Sequence, residues 1–371
     1  MSASSKGNGS LDDEHGLVPK PVKLRWWDRD GAKPHRFGPI RISSGDDDNQ
    51  AMTSFYAISQ RPDQTRSLLL YPADYRYGKL RLGKNVYAVA VVDGDYDGRF
   101  DSRVSLPVDN PAVRLPRGNL GRWARADIFA IDYDRDGQFE MYPSIDLEVM
   151  PLGKLMRLGS RYYAITVARD GSRLALEAVE PAMGRLIFDP PHATMDLRLW
   201  SDATYQSFHS ANNLDLPAGN YQATSAALIL QDTDRNEWKY EMVLGKLGPL
   251  GFFAIDANQT TRIRMGPPFR VTTDIEESQT NALTIRPIIQ GTAGERYYWV
   301  CKNTRDSNVT FRIVTENGTV LVDDEFEYGG GGGFWYRWRV PSYFKGKYQV
   351  QINVDLGPFE VTHDRKWRAI E

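Results

Sequence analysis

Cysteine is almost missing: the 371 residues hold one, Cys301. No disulfide framework can form within the chain, so packing, hydrogen bonds and bound ions must supply its stability. Cys301 ends the apolar run Tyr-Tyr-Trp-Val-Cys and is expected to be a buried small hydrophobe. Histidine is scarce too, and none of His15, His35, His192, His209 and His363 has zinc-type spacing. No stretch approaches the ~20 apolar residues of a transmembrane helix. There is no basic block, and the formal charge is −2, so nothing electrostatic favours nucleic acid. A Gly-x-Ser-x-Gly elbow, a phosphate-binding lysine loop and a dinucleotide fingerprint are all lacking. No catalytic residue can be named.

A long 3.6-period apolar stripe with caps is also lacking, and this turns attention to strands. The 19 tyrosines and 9 tryptophans suit β-structure. Apolar runs at 67–71, 86–92, 126–131, 145–150, 161–168 and 173–179 read as strands, with Arg169-Asp170-Gly171-Ser172 as a hairpin turn between the last two. Glu316-Asn317-Gly318 is a second strong two-strand turn. The expected fold is mostly β, as consecutive antiparallel β-sandwich domains. Asp189-Pro190-Pro191 and Gly266-Pro267-Pro268 mark boundaries. The division is then a flexible N-terminal tail at 1–20, a β domain at 21–190, a small sandwich at 191–267 and a larger one at 268–371.

The first β domain carries one pattern twice. It reads Asp93-Gly-Asp95-Tyr-Asp97-Gly98-Arg99-Phe100-Asp101, then Asp132-Tyr-Asp134-Arg-Asp136-Gly137-Gln138-Phe139-Glu140. Each copy follows an apolar run. Four carboxylates so close repel one another unless a cation sits among them. Acids at first, third and fifth positions, with a glycine sixth to turn the chain, are a Ca²⁺-loop arrangement. All-oxygen donors favour Ca²⁺ over Zn²⁺. The carbonyls of Arg99 and Gln138 are expected to add a ligand each, while Phe100 and Phe139 anchor the loops. The alternative is a turn rich in Asp and Gly that needs no ion. Asp232-Thr-Asp234-Arg-Asn236 has the same flavour but no glycine and no fourth acid, so it reads as a turn.

The two loops resemble the nine-residue calcium loop of integrin-type blades, with acids at one, three, five and nine. An EF-hand fits less well, because its twelfth position falls on Val104 and Pro143. Dockerin-type repeats want a helix after each loop, against which Leu106-Pro107 and Tyr142-Pro143 argue. Leu214-Asp-Leu-Pro217-Ala-Gly219-Asn-Tyr221 resembles a strand entry of small prealbumin-like sandwiches, and the strand spacing beyond residue 268 resembles immunoglobulin-like architecture. Together these look like bacterial multi-domain envelope or secreted proteins. The resemblance implies a non-catalytic, calcium-stabilised structural or binding role at a secreted, periplasmic or cell-surface address. Other copies of the chain, or surface glycan or protein, are then the expected partners. The opening Met-Ser-Ala-Ser-Ser has no apolar signal core, so a mature or truncated chain is expected. A second reading makes Phe334, Trp335, Tyr336 and Trp338, after five glycines, an aromatic platform for sugar or peptide.

Overall fold

A computed structural model describes residues 75–95, 97–104, 126–137, 139, 148–189, 193–243, 245–278, 282–329 and 333–370, plus the backbone of strands at 20–21, 35–44, 51–60 and 67–72. Among these residues the secondary structure is β-strand, apart from one 3₁₀ turn at Gly248–Gly251. Two compact units form. One comprises Met1–Ser105, Leu115–Glu180 and Asp202–Tyr205, the other Leu106–Arg114, Pro181–Ser201 and Gln206–Glu371.

Three sheets make up the first unit. Strands β1 (Lys20–Pro21), β2 (His35–Ser44), β3 (Ala51–Gln60) and β4 (Ser67–Pro72) pair in sequence order. So do β5 (Tyr75–Leu82), β6 (Asn85–Val92), β7 (Ile128–Ile131) and β8 (Val149–Pro151), all antiparallel. In the third sheet β10 (Arg161–Val167) lies between β9 (Leu155–Leu158) and β11 (Leu174–Val179). Strand β7 is apolar at every position because all four of its residues are buried, Phe129 and Ile131 completely.

The expected turn closes β10 onto β11, with Ala168 N–H donating to the Arg173 carbonyl at 2.8 Å. Gly171 has φ +70°, and a Cβ there would lie 2.5 Å from Arg76 Cγ and 2.8 Å from Phe100 Cγ. Gly171→Ala is therefore expected to destabilise this unit by about 1–3 kcal/mol, measured as a lower denaturant midpoint.

In the second unit the strands are β12 (Met183–Asp189), β13 (Thr194–Ser201), β14 (Tyr205–Ala211), β15 (Asn213–Pro217), β16 (Gly219–Gln231) and β17 (Glu237–Met242). Then follow β18 (Phe253–Ile255), β19 (Thr260–Arg264), β20 (Phe269–Ser278), β21 (Ala282–Gln290), β22 (Arg296–Lys302) and β23 (Arg305–Asp306). Last come β24 (Val309–Thr315), β25 (Val320–Glu325), β26 (Glu327–Tyr328), β27 (Phe334–Arg339), β28 (Gly346–Val354), β29 (Val361–His363) and β30 (Trp367–Ile370). Alternation shows plainly in β17, where Trp238, Tyr240 and Met242 point inward and their neighbours outward. The Asn317-Gly318 hairpin forms as expected, Gly318 taking φ +83° between β24 and β25.

Residues 267 and 268 do not separate two bodies. The path β14-β13-β16-β17-β22-β21-β20-β29 is part of one 12-stranded sheet, and β17 pairs with β22 across the expected boundary. A single apolar core runs through it, from Leu186 and Leu228 to Phe311 and Ile352. Within it Tyr240 and Phe269, from either side of that boundary, form a tilted ring pair with centroids 4.8 Å apart. Pro267-Pro268, which read as a linker, lies in a bend inside the unit, where buried Glu295 accepts the Gly266 N–H at 2.6 Å. The first boundary falls at Glu180/Pro181 rather than 190/191, because β12 joins the second unit's core. Among the described residues β12 with β19 and β20 with β29 pair in parallel, each between strands distant in sequence. Tyr221 is buried in the core, its hydroxyl donating to the Pro217 carbonyl at 2.7 Å.

Phe334, Tyr336 and Trp338 share one face of β27, but that face turns onto the core. Trp338 is 4% exposed and packs on Tyr348 with centroids 5.2 Å apart, while Tyr336 packs on Phe311 at 4.6 Å. Trp335, on the other face, is half-buried and alone cannot form a platform.

Candidate metal centre

Each acidic loop begins where a core strand ends. Strand β6 runs out of apolar residues at Val92, and Asp93 follows, 4% exposed. Its two oxygens accept the N–H groups of Asp97 at 3.2 Å and Gly98 at 3.0 Å, which curls the chain around the carboxylate. Gly98 completes the turn with φ +78°. Phe100 is buried, as expected for an anchor, and its N–H reaches the Arg169 carbonyl at 3.0 Å. In the second copy β7 ends at Ile131, and buried Asp132 accepts the Gly137 N–H at 3.1 Å. Arg135 and Gly137 turn this loop with φ +67° and +87°.

The side chains converge. Asp93, Asp95 and Asp97 each offer an oxygen within 4.8 Å of the others, and so do Asp132, Asp134 and Asp136. Asp132 Oδ1 is buried and has no hydrogen-bond partner among the described residues, although Oδ2 is satisfied by Gly137. A buried carboxylate oxygen left without a donor is costly, and a hard cation is the partner such a site fits. The donors are carboxylates throughout, so the residues present suit Ca²⁺.

Asp101 stands apart from the first cluster, its carboxylate taken by the Arg99 guanidinium in a two-bond pair of 3.0 and 3.2 Å. Gln138 and Glu140 lie outside the described residues. Val104 is 2% exposed and its N–H donates to the Leu152 carbonyl, so the twelfth position is core. Arg103 reaches the Ile165 carbonyl at 2.8 Å and Arg135 the Asn85 side chain at 3.3 Å, leaving Arg99 as the arginine held against a loop acid.

Two residues that sequence reasoning passed over brace the loops. Asp127, fully buried just before β7, accepts Gly94 N–H at 3.1 Å and Ser102 N–H at 2.8 Å, clasping both ends of the first loop. Glu148, 3% exposed just before β8, accepts Tyr133 N–H at 2.6 Å and Asp134 N–H at 3.4 Å in the second. The signal available was a lone acid against an apolar run. Because β6 and β7 are antiparallel, with Val92 opposite Ile128 and Val89 opposite Ile131, the loops occupy opposite ends of the pair. Asp132 N–H bonds the Ala88 carbonyl, five residues before Asp93, which puts the loops about 16 Å apart at ~3.3 Å per residue. Each cluster is therefore a separate group of carboxylates that could hold one ion.

Burial pushes the Asp127 carboxyl up to about 8, with the carboxylates of Asp95 and Asp93 adding to the shift and the two N–H donors opposing it. The native state then holds a proton that the unfolded chain releases from about 3.8 upward, so this contribution is lost as pH rises toward 8. Chelated protein is expected to melt lower as pH climbs through that window, and Asp127→Asn, neutral throughout, to flatten the slope.

The Asp232 turn, between β16 and β17, shows a loop that satisfies itself. Asp232 accepts the side-chain amide of Asn236 at 2.9 Å, the Trp238 indole N–H at 3.0 Å and two backbone N–H groups. These bonds, the Trp238 one foremost, hold its carboxyl down to about 2. It is a turn, as its sequence implied.

No family model matches the chain, and no curated protein does. Among solved structures, a leucine-rich repeat protein from Bacteroides thetaiotaomicron is 13% identical over 51% of this chain, with a TM-score of 0.16; the match spans 24% of that protein. A tetra-tandem repeat from the extending region of a large adhesion protein is 11% identical, covering 91% of this chain and 95% of its own, with a TM-score of 0.20. Likeness at this level carries no argument.

Proposed function

We propose that this is a non-catalytic, calcium-stabilised structural or binding protein of the bacterial cell envelope or exterior. The observation that carries the reading is the convergence of three aspartates in each loop, with a buried Asp132 oxygen that none of the described residues satisfies. The proposed ligands are Asp93, Asp95 and Asp97 in one loop and Asp132, Asp134 and Asp136 in the other. Glu140 and the Arg99 and Gln138 carbonyls complete the proposed sets; Asp101 joins only by leaving Arg99. The ion ties the loop to its strand and takes no part in a reaction. Asp127 and Glu148, which brace the loops, are committed to backbone N–H groups, which suits bracing rather than proton transfer. An exterior address follows from ion supply, since millimolar Ca²⁺ outside cells fills loops of modest affinity. The proposed partners are further copies of the chain or surface glycan and protein.

Thermal melting tests this reading. Asp95→Ala removes a half-exposed ligand without touching the core, and is expected to lower the melting temperature in Ca²⁺ and leave it unchanged in chelator. An equal loss in both conditions would make Asp95 an ordinary turn residue.

A further inference from the structure

We propose that β7 couples the two loops, so that an ion in one raises the affinity of the other. The inference rests on the calcium reading and concerns how the sites regulate each other. Strand β7 has four residues, with the brace of the first loop, Asp127, directly before it and the first ligand of the second loop, Asp132, directly after. All four residues are buried, and the strand is hydrogen-bonded on both sides, to β6 and to β8. It cannot shift at one end and stay still at the other.

Both junctions are pinned at the backbone. Asp127 N–H donates to the Ser102 carbonyl at 2.9 Å and its own carbonyl accepts Leu152 N–H at 2.7 Å. At the far end Ile131 N–H donates to the Glu148 carbonyl at 2.8 Å and Asp132 N–H to Ala88 at 2.9 Å. Gly94 lies so close to this frame that a Cβ would come within 2.4 Å of the Ala126 carbonyl oxygen. Without an ion the three carboxylates of a loop repel, and the loop loosens its hold on its brace. An ion draws them together and fixes the brace, and with it β7. The second loop then receives its first ligand already placed, and the ordering of the shared strand is not repeated. That gives positive cooperativity without a large structural change.

Direct electrostatics works the other way. An ion in one loop removes negative charge that attracts an ion to the other. At ~16 Å, about two Debye lengths in 0.15 M salt, that opposing effect is largely screened. Coupling through the strand therefore sets the sign at physiological ionic strength.

Calorimetric titration with CaCl₂ of the full chain in 0.15 M salt tests this. Asp134→Asn/Asp136→Asn disables the second loop and Asp95→Asn/Asp97→Asn the first, each by changing ligands outside the core. The wild-type isotherm is expected to lie tighter than the sum of the two single-site isotherms, by about fivefold or more in the second binding step. Asp127→Asn, which keeps every ligand, is expected to bring the wild-type curve back to that sum. A wild-type curve equal to the sum would overturn the coupling and leave the calcium sites standing. No uptake by any protein would overturn both.

Discussion

Calcium added to chelated protein is expected to raise the melting temperature of the first unit by roughly 10 °C or more, with the second unit unmoved. An ion that binds only the native state adds RT ln(1 + [Ca²⁺]/Kd), about 2.7 kcal/mol per site at a hundredfold excess. Two sites then contribute about 5 kcal/mol, comparable with the whole stability of many domains. A unit of this size shifts by about 2–4 °C for each kcal/mol. The effect is large because the ion-free state is poor: six aspartates face one another in threes, and Asp132 Oδ1 is buried without a donor among the described residues. Magnesium is expected to do much less, since it holds its waters and demands a tighter octahedron than carboxylates on a loop supply. Differential scanning calorimetry, which separates the two transitions, is the measurement.

Trp338→Ala is expected to destabilise the second unit by about 3–5 kcal/mol, the cost of emptying a large aromatic site in a packed core. The ring is 4% exposed, against Tyr348 and Phe344. Trp335→Ala, on the opposite face of β27, is expected to cost much less. Were the strand a sugar platform, the order would be reversed in kind: Trp338 would be dispensable to folding and needed for binding. Denaturant midpoints of the two variants distinguish these cases, and glycan binding by wild type and Trp335→Ala should be equal.

The strands and their turns were legible because alternation and Gly-bearing turns are local signals. Tyr87, Val89 and Val91 facing inward from β6, and the Gly171 and Gly318 hairpins, needed no knowledge of the rest of the chain. The loops were legible for the same reason, with strand, acids and glycine consecutive. Partnership was not legible. Pro267-Pro268 carries the residues of a linker, yet it sits where β17 and β22 bind one sheet across it. The same limit hid Asp127 and Glu148. Each is a single acid before an apolar run, and only the antiparallel register brings it beneath a loop that precedes it in sequence. The three aromatics on β27 marked a shared face correctly, but a period of two cannot say which side of a sheet the core lies on.

Anomalous scattering from crystals grown in millimolar CaCl₂ tests the central claim most directly. Two calcium peaks are predicted, one among Asp93, Asp95 and Asp97 and one among Asp132, Asp134 and Asp136. They should lie about 16 Å apart at opposite ends of the β6–β7 pair. Ordered loops with no density among either set of carboxylates would contradict it.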